Sequence, residues 1–370
     1  MGSDAEIQVP IARQPHGAPT PASIRAESLK DPRFGTVFTD HMVTVRWTTK
    51  TGWHDATARA RAPFSLDPAA AVLHYAQEIF EGMKAYRAND GGVVLFRPEE
   101  NARRFAHSAA RMAMPVAPDA LFLDAVETLI QLDADWIPDS PGALYVRPFM
   151  FASEAFLGVR PASEYIFCVI ACPVGDYFRG GSKPISVWVS DDFSRAAAGG
   201  TGAAKCGGNY AASLMAQAVA SQNGCDQVVF LDAADHRWVE ELGGMNIFFV
   251  FDDGVLATPP LTGTILPGVT RDAVITLAKD AGLQVQERPY AFDDWRKDAA
   301  SGKLREAFAC GTAAVVAAIG QVRHGNGAFS ISGGMEGAVT RRLRDELVGI
   351  QRGVRPDPHA WLRRVKSTSA

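Results

Sequence analysis

The chain has no C-x-x-C pair. Its five cysteines, Cys168, Cys172, Cys206, Cys225 and Cys310, are odd in number and scattered. That pattern fits neither a disulfide framework nor a zinc ribbon, so no metal is expected, and it points to a reducing compartment. No block of five or more basic residues occurs and the formal charge is −4, which argues against nucleic acid and anionic membrane as partners. No window holds the 18 or more apolar residues of a bilayer span. The N-terminus lacks an apolar signal core, and residues 1–33 read as a polar arm, extended or frayed, with Pro10, Pro15, Pro19 and Pro21. A cytoplasmic protein is expected. Internal repeats are absent, which excludes a solenoid.

What is present is ordinary globular composition: 370 residues, 47% hydrophobic and 21% charged, enough for two domains of roughly 150–200 residues each. Between 34 and 62, Met42, Val43, Val45, Trp47 and Trp53 suggest two strands joined by a turn at Lys50-Thr51-Gly52. A strand at 92–97 precedes Pro98, which opens a helix to about Met112. A second helix spans 119–135, and strands follow at 143–151 and 164–171. This is an α+β pattern, and 34–172 reads as the smaller domain. The turn-rich stretch 173–184 reads as the connection to a larger domain, 185–370. There the spacing predicts strands at 185–190, 227–231, 246–251 and 306–310, and helices at 208–222, 269–281 and 335–352.

The most informative segment is Gly199-Gly-Thr-Gly-Ala-Ala-Lys205-Cys-Gly-Gly-Asn-Tyr210. A nucleotide-binding glycine loop needs Gly directly before its lysine and Ser or Thr after; Ala204 and Cys206 exclude that. A solvated lysine on a generic glycine loop fits the spacing as well as a reactive one does. A lysine that forms a Schiff base must shed its proton in a desolvated pocket, with backbone close on every side. Such a site also needs an acid for the pyridine nitrogen, an anion cradle for a phosphate and a phenol. Candidates exist for each. Glu240 and Glu241 follow a turn and precede the apolar run Ile247–Phe251. Leu266-Pro-Gly-Val-Thr-Arg271 opens a helix with Thr270 as the natural N-cap, whose first-turn N–H groups favour an anion. Gly311-Thr-Ala313 offers a hydroxyl and tight backbone, and Arg104 a fixed positive charge. Taken singly, each has an equally ordinary reading as a capped helix, a surface arginine or a solvated turn.

Taken together and in this order, the segments resemble the branched-chain amino-acid aminotransferases, which are fold-type IV pyridoxal-phosphate (PLP) enzymes. The resemblance runs from about Phe34 to Ile350. It is carried by Leu73-His-Tyr75 and Phe80-Glu-Gly-Met-Lys-Ala-Tyr86, by Phe96-Arg-Pro-Glu-Glu-Asn101 with Arg104, and by Tyr145-Val-Arg147-Pro. Cys172-Pro-Val-Gly-Asp-Tyr-Phe, Lys205-x-Gly-Gly-Asn-Tyr210, Glu241-x4-Asn246, Leu266-Pro-Gly-Val-Thr-Arg271 and Gly311-Thr-Ala continue it.

The resemblance implies a two-domain architecture, a homodimer, small-molecule substrates and a role for each matched residue. Lys205 is then the Schiff-base lysine and proton shuttle, Tyr210 the donor to the cofactor's O3′, and Glu241 the acid at the pyridine nitrogen. Arg104, Val269, Thr270 and Thr312 match phosphate contacts, and Arg195 aligns with an arginine before the lysine loop. Tyr75, Phe80, Tyr145 and Arg147 match the substrate pocket, and Thr312 with Ala313 the place where the α-carboxylate docks. Mammalian members carry a redox C-x-x-C soon after the Gly-Thr-Ala segment; here that stretch has no cysteine, so thiol regulation of that kind is not expected. The neighbouring possibilities within the fold type are a D-amino-acid aminotransferase and an aminodeoxychorismate lyase, which share the lysine and acid but not the Tyr145-Val-Arg147-Pro and Cys172-Pro-Val-Gly pair.

Overall fold

The computed structural model describes residues 9–175 and 183–366. They divide into two compact units, one of 9–175, 204–207 and 350–366, the other of 183–203 and 208–349. This differs from a single division at 173–184 in two places. Residues 350–366 pack with the first unit, because the strand Leu362–Val365 pairs antiparallel with Val93–Phe96. The tetrapeptide around Lys205 does so too. Most of the expected connection, 176–182, lies outside the described residues.

In the first unit the hairpin forms where alternation and the Gly52 turn place it, His41–Thr48 against Gly52–Ala60. The sheet runs Ala12–Arg13, Gly52–Ala60, His41–Thr48, Glu164–Val174, Ala143–Ala152, Met83–Arg87, Val93–Phe96, Leu362–Val365. Glu78–Phe80 also pairs with Ala143–Ala152, so that central strand has two partners on one side, one opposite Phe149–Phe151 and one opposite Leu144–Val146. Arg147 and Pro148 fall in the gap between them. A proline inside a sheet removes a ladder donor, and here it sits where that side of the ladder is interrupted. Its carbonyl accepts the Glu81 N–H at 2.7 Å. The helices Pro98–Arg111 and Asp119–Leu132 bury Phe105 and Phe122 against Phe167.

The arm is more ordered than its prolines suggest. Ala12–Arg13 joins the sheet edge, and Ala22–Lys30 is a helix with no buried residue. Polar contacts hold it: Thr20 donates its N–H and hydroxyl to Asp40, and Arg25 pairs with Asp135. His16 packs edge-on against His41, whose Nδ1 lies 2.6 Å from Asp133 Oδ1. The hydrogen bond to Asp133 raises the His41 pKa, against burial. A raised folded-state pKa gives stability that is complete below the ordinary histidine value, about 6.5, and is lost as pH rises through the folded value. The stability difference between the wild type and His41→Asn is therefore expected to shrink between pH 6 and pH 9 in thermal melts; a difference independent of pH would refute the pairing.

The second sheet runs Val239–Leu242, Gln227–Leu231, Ile185–Ser190, Val315–His324, Leu304–Gly311, Asn246–Phe251, Val255–Thr258, Gln284–Glu287, with Gly327–Ser330 on Val315–His324. It is mixed: Ile185–Ser190 pairs parallel with both neighbours. The helices Gly207–Gln222, Val269–Asp280 and Ala338–Gln351 form close to the predicted bounds. A further helix, Phe292–Ser301, buries Trp295 against Phe249 and was not read from the sequence.

Candidate active site

The predicted residues fall into two groups, one in each unit. In the first, Phe80-Glu81-Gly82 bends the chain from the strand Glu78–Phe80 into Met83–Arg87. Successive side chains therefore point opposite ways. Glu81 is fully buried and takes Arg104 as a fork, Nε to Oε1 at 2.7 Å and Nη2 to Oε2 at 2.8 Å. Asn101, one turn earlier on the Arg104 helix, donates to Oε2 at 2.8 Å, and the Gly82 N–H does so at 3.1 Å. Burial pushes the Glu81 carboxyl up, but Arg104 and the nearby Lys205 charge hold it below the usual range. Gly82 has no alternative here, since a Cβ would collide with the Tyr145 hydroxyl.

Phe80 faces the other way. The Lys205 Nζ lies 4.7 Å from its ring centroid, and so does the Arg147 guanidinium carbon. Arg147 donates to the Tyr145 hydroxyl at 3.3 Å, while its buried Nε has no hydrogen-bond partner. Tyr145 stacks edge-on with Phe34. Tyr75 stands elsewhere, half exposed, with its hydroxyl on the Leu157 carbonyl at 2.7 Å. Lys205 is half-buried between the fully buried Ala204 and Cys206. Its N–H reaches Ser108 Oγ at 2.9 Å and its carbonyl accepts the Phe80 N–H at 3.0 Å.

In the second group, Glu240 and Glu241 lie on the strand Val239–Leu242, which was not read from the sequence, and both are buried. They point to opposite sides. Glu241 Oε1 accepts from Arg195 Nη2 at 2.7 Å and from the Leu266 N–H at 2.9 Å, and Oε2 from Asn246 at 3.2 Å. Arg195 is thus placed on Glu241, with two further bonds to the Gly202 and Thr264 carbonyls. Glu240 accepts only the Thr264 hydroxyl, its Oε2 has no partner, and burial raises its carboxyl pKa.

Thr270 is not the N-cap. The helix starts at Val269 with Gly268 in the cap position and no side-chain cap. The helix therefore starts two residues earlier than a Thr270 cap would place it and leaves buried Thr270 inside the first turn, while the Asn246 amide oxygen occupies the space a Gly268 Cβ would fill. An uncapped first turn is an anion site by its own dipole and N–H groups. Thr312 and Ala313 form the half-buried turn between Leu304–Gly311 and Val315–His324, and Val315 closes it with φ +59°. Cys310 pairs with Asn246 across the sheet, which sets this turn one rung from the Glu241 network. Tyr210, half-buried in the first turn of Gly207–Gln222, lies beside Gly244.

These residue types fit PLP: an amine on a fixed backbone, a buried carboxylate next to an arginine, a phenol and an uncapped helix start. Among the described residues no cluster of His, Cys, Asp or Glu could hold a metal ion. The residues not singled out from the sequence are Glu81, Glu78, Asn101 and Ser108. The one signal for the first was its place beside Phe80 in an alternating segment; for Asn101 it was the three-residue spacing to Arg104.

The chain matches the family described as amino-transferase class IV over residues 78–322. It is 54% identical over 354 residues to a probable branched-chain-amino-acid aminotransferase of Streptomyces coelicolor, covering 95% of this chain and 98% of that one. The identity to the branched-chain-amino-acid aminotransferase of Mycobacterium tuberculosis is also 54%, over 92% and 94% of the two chains. Among solved structures, the Escherichia coli branched-chain amino acid aminotransferase aligns with a TM-score of 0.70 at 30% identity, over 82% of this chain and 94% of that one. The Thermobaculum terrenum branched-chain amino acid aminotransferase, solved in PLP-form, aligns with a TM-score of 0.69 at 25% identity, over 87% and 98%.

Proposed function

The chain belongs to the class IV aminotransferases and, within them, to the branched-chain-amino-acid aminotransferase family, and from that premise we propose that it exchanges an amino group between leucine, isoleucine or valine and 2-oxoglutarate, with PLP attached to Lys205. The observation that carries this reading is the placement of Lys205, backbone tied on both sides and amine over an aromatic ring that also bears Arg147. When bound, PLP supplies the electron sink that makes an amino acid's Cα–H acidic. The protein supplies the rest. Lys205 moves the proton at Cα. Glu241, held in place by Arg195 and the Leu266 N–H, keeps a proton at the pyridine nitrogen. Tyr210 donates to O3′. Arg104, Val269, Thr270 and Thr312 receive the phosphate, and Thr312 with Ala313 the α-carboxylate.

Phe80 and Tyr145 give an aliphatic side chain an apolar wall, worth on the order of 1.5–3 kcal/mol on burial. Arg147, with its unpartnered Nε, receives the distal carboxylate of glutamate. Steady-state kcat/KM over a donor panel tests this: leucine, isoleucine, valine and glutamate should turn over, while aspartate, lysine and D-alanine should not. D-alanine or aspartate matching leucine would favour another enzyme of the fold type. Arg147→Ala should cost glutamate about 10- to 100-fold, the worth of a charge-assisted hydrogen bond, and leucine less than about threefold. Equal losses would make Arg147 structural.

The same family likeness supports a homodimer. The exposed Leu73, Tyr75, Leu157 and Val159 in the first unit are apolar surface available to a second copy. Light scattering should give twice the chain mass of 39.7 kDa, and a value at the chain mass would contradict it. A cytoplasmic site is supported by five buried free thiols and by the absence, among the described residues, of a helix long and apolar enough to cross a membrane. Recovery in the membrane fraction would overturn it.

A further inference from the structure

The four residues Ala204–Gly207 pack with the first unit although the chain on both sides belongs to the second. Hydrogen bonds on both sides of the Lys205 peptide hold them there, three of which bear on the lysine. The Lys205 N–H goes to Ser108, the Lys205 carbonyl accepts from Phe80, and the Gly207 N–H goes to Glu78 Oε1. Two of the three partners, Glu78 and Phe80, are alternate residues of one three-residue strand. Phe80 carries the ring under the Lys205 amine. Glu78 is therefore the side chain that ties the lysine segment down just beyond the reactive residue.

We propose that Glu78 is a positioning residue for amino transfer: by accepting the Gly207 N–H it fixes the backbone on the C-terminal side of Lys205, and with it the place of the amine over Phe80. The inference rests on the assignment of the cofactor to Lys205. An ionised acceptor makes a shorter and stronger bond than a neutral one. The fit is close, since a Cβ on residue 207 would fall where Glu78 Oε1 now lies and would push the end of that side chain off the Gly207 N–H. Burial pushes the Glu78 carboxyl up, against the Gly207 N–H and Arg147.

The test uses the PLP-loaded enzyme and three variants, Glu78→Leu, Glu78→Gln and Gly207→Ala. A displaced reacting group costs about 100-fold per ångström, so Glu78→Leu should lower kcat about 10- to 100-fold while KM for leucine changes less than about threefold. Gly207→Ala should reproduce that loss. Glu78→Gln retains a carbonyl acceptor and should recover about tenfold over Glu78→Leu. Amide exchange of peptides covering 204–208 should be slow in the wild type and fast in Glu78→Leu. Wild-type kcat in Glu78→Leu overturns the inference, as does Glu78→Gln failing equally with unchanged exchange. If Glu78→Leu does not fold, rapid exchange of the Gly207 amide in the wild type overturns it, and slow exchange with a kcat loss in Gly207→Ala supports it. Borohydride labelling of the wild type separates the two levels. Label on a lysine other than Lys205 removes the underlying assignment, whereas label on Lys205 with an unimpaired Glu78→Leu removes only this one.

Discussion

Lys205→Ala is expected to lower kcat by about 10⁴-fold or more, because one amine serves both as covalent attachment and as proton carrier. No neighbour can replace it. Glu81 is engaged by Arg104 and Asn101, Glu78 by Gly207, and Arg147 never gives up its proton. The variant should still fold, since the hydrogen bonds of residue 205 to Ser108 and Phe80 are backbone bonds that alanine keeps. Lys205→Arg should fail as badly. It keeps a cation over the Phe80 ring but cannot deprotonate, which separates charge from chemistry. Single-turnover kinetics with leucine, alongside a thermal melt, would measure both. A loss under about tenfold in Lys205→Ala would reject the assignment.

Glu241→Gln should lower kcat by about 10²- to 10⁴-fold and also destabilise the fold by about 1–3 kcal/mol. The two effects have one origin. Both carboxylate oxygens accept from donors: Oε1 from Arg195 and Leu266, Oε2 from Asn246. An amide in this place must aim its NH2 at one of them, donor against donor, and it weakens the anion that keeps buried Arg195 compensated. Glu240→Gln should cost under about tenfold in kcat, since its carbonyl can still accept the Thr264 hydroxyl. The bound cofactor's absorption spectrum should change in Glu241→Gln and not in Glu240→Gln. The reverse order would mean that the acid is the residue one position earlier.

Local signals gave Pro98–Arg111, Asp119–Leu132 and the hairpin His41–Ala60, because periodicity and end residues are local: Pro98 starts a helix, and Gly52 turns a hairpin; they did not give the helix Phe292–Ser301 or the strand Val315–His324. Some short strands were not legible. Glu78–Phe80, Met83–Arg87 and Val239–Leu242 are three to five residues long, too short for a period, and are defined by the strand each pairs with. The site divides the same way. Lys205 and Glu241 were visible through the company they keep in the sequence. The Glu81–Arg104 fork was not, because its partners are 23 residues apart and an arginine on a helix reads as surface. Thr270 misled as a cap because the helix starts at Val269, with Gly268 in the cap position and no side-chain cap.

The strand Leu362–Val365 has a consequence for synthesis on the ribosome. Its partner Val93–Phe96 emerges 269 residues earlier (362 − 93), and the whole of 208–349 is made in between. At about 5–20 residues per second, the edge of the N-terminal sheet waits roughly 13–54 s for its last strand. During that interval Val93–Phe96 presents an unpaired, apolar edge, the kind that recruits strands from other chains. The nascent chain therefore depends on a strand made long after Val93–Phe96 to cover the edge of its first-made sheet.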